Sequence, residues 1–167
     1  MSNPGQKRIM VLGIGNPDRA DDDVGVRVAA RLTGHLPAEV TLVARSGDIL
    51  ALVEDWAGFD ALVCVDAANP MGQPGRIYRF ETADGELPER TSLTSSHAFG
   101  LAEAIALARE LQTLPKTVVI YAVEGACFDG GSPMTPQVAA AVNEIAERII
   151  EEVGRLNKTE IEVPSHA

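Results

Sequence analysis

Apolar residues are distributed along this chain in two alternating rhythms. Continuous apolar runs at Ile9 to Ile14, Ala61-Leu62-Val63-Cys64-Val65 and Val118 to Val123 read as strands covered on both faces. Between them lie stripes at helical spacing: Val24, Val28, Leu32 and Leu36; then Leu101, Ala104, Ile105, Ala108 and Leu111; then Val138, Val142, Ile145, Ile149 and Val153. Lys7 to Ile14 is the first strand and Glu39 to Ala44 the second. Ile49, Leu50, Leu52 and Val53 suggest a short helix ending near Trp56. Gly75 to Glu81 alternates as a more exposed edge strand does. Thr82 to Thr94, polar and carrying Gly85 and Pro88, reads as a mobile surface loop. A Gly-rich loop through Gly130-Gly131 follows the last strand, and Thr135-Pro136 opens the final helix with Pro in its first position. From Asn157 the tail is polar and expected to fray. Strands alternating with helices predict an α/β/α sandwich with a mostly parallel sheet, as one domain over residues 1–167 with an ordered core at about 7–156 and no internal repeat.

The composition narrows the partners. The 167 residues can bury a core without staples, and 46% hydrophobic against 4% aromatic residues suits an interior of Val, Ile, Leu and Ala. A formal charge of −10 argues against nucleic acid or an anionic membrane surface, both of which reward Lys and Arg. It is compatible with a cation or a basic peptide. The two cysteines, Cys64 and Cys127, have neither CxxC spacing nor a disulfide framework. Met1 to Gln6 is short and polar, without the apolar core of a signal peptide, and no run approaches membrane-span length. The expectation is a soluble, cytoplasmic protein, monomeric because no large apolar stripe is left over.

Chemistry concentrates where strands end. Val11-Leu12-Gly13-Ile14-Gly15-Asn16-Pro17 is followed at once by Asp21-Asp22-Asp23-Val24-Gly25-Val26-Arg27. Three adjacent carboxylates repel one another and a helix cap needs only one, so the loop looks built for a cation; a phosphate cradle would want bare glycine amides or a lysine. Gly13-x-Gly15 could be half of a dinucleotide fingerprint, but Asp18 occupies the third glycine position and the helix start is acidic. Asp66 directly follows the buried strand, in Val65-Asp66-Ala67-Ala68-Asn69-Pro70. Taken alone it reads as a turn residue. In a parallel sheet, however, it shares one crevice with the Asp21–Asp23 cluster, because the carboxyl ends of the strands lie along one edge. His97, in Ser95-Ser96-His97-Ala98-Phe99-Gly100, stands where the next helix begins. A helix N-terminus disfavours imidazolium, which leaves a neutral ring nitrogen able to bind metal, although Ser95 or Ser96 as a simple cap is the plainer alternative. His35 and His166 read as solvated. One His with two Asp carboxylates is a mixed N/O set suited to Zn, Ni, Co or Fe. Cys127 with His97 and Asp66 could instead form a thiol-nucleophile triad; as a small packing residue after the last strand it has a simpler role. Cys64 reads as core.

These motifs together resemble the hydrogenase maturation endopeptidases, which process the large subunit of nickel-iron hydrogenases. Val-Leu-Gly-Ile-Gly-Asn, the acidic run into Val-Gly-Val-Arg, Val-Asp-Ala, Ser-His-x-x-Gly-Leu-Ala and Met-Thr-Pro-x-Val occur in that order over nearly the whole chain. The resemblance implies a mixed twisted sheet flanked by helices, a three-layer sandwich of the phosphorylase/hydrolase-like kind. It implies removal of a short C-terminal extension from a precursor once nickel is installed there. A trio that contacts the nickel and carries the catalysis maps by motif onto Asp22, Asp66 and His97. This chain has Asp22-Asp23 where many members have Asp-Asp-Gly, so Asp21 and Asp23 remain neighbouring alternatives to Asp22. Pro17-Asp18-Arg19 is a variant turn that bears on substrate choice.

The resulting expectation is an endopeptidase, aspartic-type or metal-assisted, whose partner is a hydrogenase large-subunit precursor. Its nickel is carried by that precursor, although the isolated site could take another divalent ion. Water is the attacker and a carboxylate the base. Gly47-Asp48 and the Gly125–Ser132 loop are candidate walls of the substrate groove. Two other readings stay open: a non-catalytic nickel-sensing accessory protein using the same ligands, and a cysteine peptidase built on Cys127.

Overall fold

A computed structural model describes residues 7–46, 48–82 and 101–158. Five strands, β1 (Ile9–Ile14), β2 (Thr41–Arg45), β3 (Ala61–Ala68), β4 (Ile77–Glu81) and β5 (Thr117–Glu124), form one sheet in the order β2-β1-β3-β5-β4. β2, β1, β3 and β5 are mutually parallel, and β4 runs antiparallel to β5 at the edge. The helices are α1 (Val24–Leu32), α2 (Ile49–Trp56), α3 (Leu101–Glu110) and α4 (Pro136–Lys158). The mixed, mostly parallel α/β sheet expected from the sequence is therefore the one observed.

The alternation of the buried strands sorts the core into two layers. Ile9, Val11, Val63, Val65, Val119 and Tyr121 pack with α1 and α4 on one face. Met10, Leu12, Ile14, Leu62, Cys64 and Ile120 pack with α2 and α3 on the other. Each fully buried Leu or Ile contributes about 1.5–3 kcal/mol, so apolar burial is the main force holding the helices on both faces. β1, β3 and β5 read as unbroken apolar runs because both of their faces are covered.

The structure corrects the sequence reading at element ends. The helix expected to include Leu36 stops at Leu32, where the Thr33 amide bonds back to Ala30 and Gly34 takes a φ of +83°. β3 runs past Val65 to Ala68, so Asp66 lies inside the strand, paired with Ala122, rather than in a turn after it. Leu111 falls beyond α3 and is exposed. α4 continues through Asn157 and Lys158, where a frayed tail was expected, because Val153 and Leu156 still pack on the core. The loop expected at Thr82 to Thr94 lies outside the described residues after Thr82, which is buried and donates its amide to Val118 O at 2.8 Å. Among the described residues, no helix is long and apolar enough to cross a membrane.

Candidate active site

The acidic run folds as a single 3-10 turn, Ala20–Asp23, between β1 and α1, and all three carboxylates are buried. Two glycines make this possible. A Cβ on Gly15 would sit 2.1 Å from the Asp22 carbonyl oxygen. One on Gly25 would sit 2.2 Å from Ile14 O and 2.5 Å from Val65 O. The glycines thus admit the backbone of the acidic turn against the ends of β1 and β3, which is the use glycine has where two backbones must touch. Ala20 enters the turn at φ +51°, a left-handed conformation costing an L-residue about 1–2 kcal/mol.

The three acids divide the work. Asp21 is an organiser. Its Oδ2 accepts the amides of Ala126 and Cys127 at 2.7 and 3.0 Å, its Oδ1 accepts the Thr135 amide at 2.7 Å, and the Thr135 hydroxyl reaches both oxygens. Its own amide donates to Cys127 O at 3.0 Å. One carboxylate therefore ties the Gly125–Ser132 loop and the start of α4 to the turn. Asp23 pairs with Arg27 one helical turn on, at 2.8 Å. Asp22 is wholly buried, and its charge bears on Asp66.

Asp66 lies on the same sheet face as Cys64 and Ala68, the face covered by α2 and α3, and is 2% exposed. Its Oδ1 accepts the amide of Ala67 at 2.8 Å. Burial pushes its pKa well above the usual carboxylate range; the hydrogen bond from Ala67 opposes this, and the nearby charge of Asp22 adds to it. Two acids so placed at the carboxyl ends of parallel strands can share a proton or clasp a cation, and they can act as acid and base. Cys64 is core, its thiol pushed up by burial and by the charge of Asp66.

His97 and His166 lie outside the described residues; α3 begins at Leu101, four positions beyond His97. Among the described residues, no group of three or more His, Cys, Asp or Glu forms a metal site; of the expected trio, Asp22 and Asp66 are both buried with the charge of Asp22 felt at Asp66, and His97 lies outside the described residues. His35 is exposed, as expected. Gly47 also lies outside the described residues, while Asp48 caps α2 by accepting the Leu50 amide at 3.1 Å. Arg19 Nε donates to Phe128 O, and Gly131 N donates to Asp18 O, so the variant Pro17-Asp18-Arg19 turn and the Gly125–Ser132 loop form one wall.

Sequence reasoning missed Glu124. It ends β5 and is fully buried, accepting the amides of Met71 and Gln73 and the hydroxyl of Tyr78. The available signal was an acid closing an apolar run, the same signal that drew attention to Asp66.

The fold defines a mostly parallel α/β protein with a buried acid pair at the carboxyl edge of its sheet, and comparison with known proteins specifies the kind. A family model of the HycI hydrogenase maturation proteases matches residues 26–152, and the chain belongs to that family. It is 32% identical over 148 residues to the hydrogenase expression/formation protein HupD of Thiocapsa roseopersicina, covering 86% of this chain and 66% of that one, just under two thirds of its length. It is 29% identical over 147 residues to the hydrogenase 2 maturation protease of Escherichia coli K12, covering 86% and 88%. Among solved structures, the hydrogenase maturating endopeptidase HybD from E. coli has the same fold, with a TM-score of 0.69 and 24% identity over 89% of this chain and 93% of that one.

Proposed function

We propose that this protein is an endopeptidase that removes a short C-terminal extension from a nickel-loaded nickel-iron hydrogenase large-subunit precursor. The observation that carries the reading is the buried Asp22–Asp66 pair within a chain whose residues 26–152 match the maturation-protease family. The precursor brings the nickel. Asp22 and Asp66, with His97 as third ligand, engage that ion and so fix the scissile bond beside the carboxylates. Water attacks the carbonyl. A carboxylate takes the proton from that water and returns one to the leaving amine.

The Gly125–Ser132 loop and the Asp48 end of α2 flank the groove that receives the extension. A processing assay on the cognate precursor, with and without nickel, reads the reaction as a defined mass loss at the precursor C-terminus. Nickel-dependent loss of one peptide supports the reading. Intact precursor despite nickel binding would instead support a non-catalytic nickel-sensing accessory role.

A further inference from the structure

The sheet ends in two edge strands, β2 and β4, and they are built differently. β4 carries Arg79 and Glu81, which reach Glu152 at 2.8 Å and Arg155 at 3.2 Å on α4. Charged side chains along an edge keep other strands off it. β2, Thr41-Leu42-Val43-Ala44-Arg45, pairs residue for residue with β1, so it has no bulge, and it holds neither Pro nor Lys. Its one charge, Arg45, is drawn onto α2 by Asp55 at 2.7 Å. Among the described residues, no strand lies on the outer side of β2.

The backbone groups of β2 divide by alternation, because the N–H and C=O of one strand residue point to the same side. Arg45 O accepts Gly15 N at 3.0 Å, so Arg45, Val43 and Thr41 turn toward β1 while Leu42 and Ala44 turn outward. Ala44 is exposed, and its carbonyl meets Arg45 Nη1 at a long 3.5 Å. The outward row fits the backbone of an extended chain, whatever side chains that chain carries.

This edge is continuous with the site. The amide that closes the β1–β2 ladder belongs to Gly15, the glycine on which the Asp22 carbonyl packs. Asp66 lies on β3, on the other side of β1. With neighbouring strands about 4.8 Å apart, a chain laid outside β2 runs about 14 Å from β3, a gap that about four extended residues bridge.

Resting on the function proposed for this site, we infer that the outer edge of β2 takes up the precursor's C-terminal extension as an added antiparallel strand. The extension follows the scissile bond, so from the carboxyl edge of the sheet it runs back along β2. That is the orientation in which the inter-strand bonds lie perpendicular to the strands. The backbones of Leu42 and Ala44 are its contacts.

The test measures processing rate against the concentration of nickel-loaded precursor. Ala44→Pro removes an outward donor and no ladder bond, a substitution that an edge strand accepts, whereas Ala44→Ser keeps the donor. Ala44→Pro is expected to raise KM about tenfold with kcat within about twofold, and Ala44→Ser to stay within about twofold of the parent. A parent-like KM in Ala44→Pro overturns the inference, as does an equal rise in Ala44→Ser. A proline scan of the precursor's extension, processed by the parent protein, is the second measurement. From about the fifth residue after the scissile bond, KM is expected to rise at alternate positions, since every second amide of the added strand faces β2. A flat profile overturns the inference, and the scan decides alone if Ala44→Pro fails to fold. Dissociation of a dimer by Ala44→Pro at unchanged KM overturns it in favour of a second copy of this chain on that edge. A parent protein that cleaves no precursor removes the reading of function itself, an outcome distinct from cleavage that the substitutions leave unaltered.

Discussion

Asp66 and Glu152 are both acids buried against one sheet, on opposite faces of it, and their pKa values move in opposite directions. On the α2/α3 face, burial and the neighbouring charge of Asp22 drive Asp66 upward, and the amide of Ala67 compensates only in part. On the α4 face, burial pushes Glu152 the same way. There, Arg79 Nε at 2.8 Å, Arg155 and the Tyr121 hydroxyl at 2.9 Å outweigh it, and the net shift is downward. Tyr121, whose hydroxyl shares this network, is itself raised to about 12 by burial and by Glu152. The lesson is that burial alone does not distinguish a working carboxylate from a structural one. Glu152 is surrounded by guanidinium groups and serves the packing of α4 on β4 and β5. Among the described residues, Asp66 has no guanidinium beside it; burial, with the nearby charge of Asp22 adding to it, leaves its carboxyl favouring the proton, the pattern that in the proposed function belongs to a working acid.

The sharpest way to break this comparison is to neutralise each acid in turn. Asp66→Asn is expected to lower processing by at least about 100-fold, the scale of a lost general acid or base, while the melting temperature at pH 7 holds or rises. Retained processing would leave Asp66 a merely buried residue. Glu152→Gln is expected to do the reverse, leaving processing within about twofold and costing about 1–3 kcal/mol in denaturant unfolding. Arg79 and Arg155 are partly solvated, which keeps that loss below the value for a fully buried pair.

The pH dependence sharpens the contrast. With a raised folded pKa, Asp66 leaves the native state holding a proton that the unfolded chain has released. Its effect is therefore a loss of stability as pH rises from about 4 through the raised value, each tenfold difference in proton affinity between folded and unfolded chain costing about 1.4 kcal/mol. Asp66→Asn removes that slope, so its gain over the parent is present at pH 7 and vanishes near about pH 3, below the ordinary carboxylate range. Glu152, with a lowered folded pKa, stabilises above the unfolded carboxylate value and loses that contribution as pH falls through its folded pKa. Thermal melts of both variants from about pH 3 to about pH 8 separate the two slopes. The smallest effect belongs to Cys127→Ser, expected to leave processing within about twofold. Its backbone serves Asp21 through both amide and carbonyl, and a serine keeps both. Loss of cleavage there would revive a thiol nucleophile.

Much of this was legible in the linear chain. The doubly covered strands announced themselves as unbroken apolar runs because burial on both faces removes the alternation, and the helices as stripes because only one face of each is buried. The ordered motifs identified the family, since each holds residue types that a turn or a strand end demands locally. Element ends were less legible. Leu36, Asp66 and Asn157 fall on the other side of an element boundary from where the pattern puts them, because helix and strand limits follow from packing partners that are distant in sequence.

The division of labour among Asp21, Asp22 and Asp23 could not be read from three identical letters. Asp21 is an anchor because the amides of Ala126, Cys127 and Thr135, more than a hundred residues away, converge on it. The charge of Asp22 is felt at Asp66 because glycines at 15 and 25 let the acidic turn and α1 press against the ends of β1 and β3. Glu124 comes to anchor the Asn69–Arg76 segment only because β4 lies on the far side of β5 and the segment must pass over the end of β5 to reach it. By itself the sequence determined the periodicities, the strand-end acids and the kinship, all properties of neighbours along the chain. Only the tertiary structure decided which carboxylate meets a cation, an amide or another carboxylate, because charge and solvation depend on proximity in space.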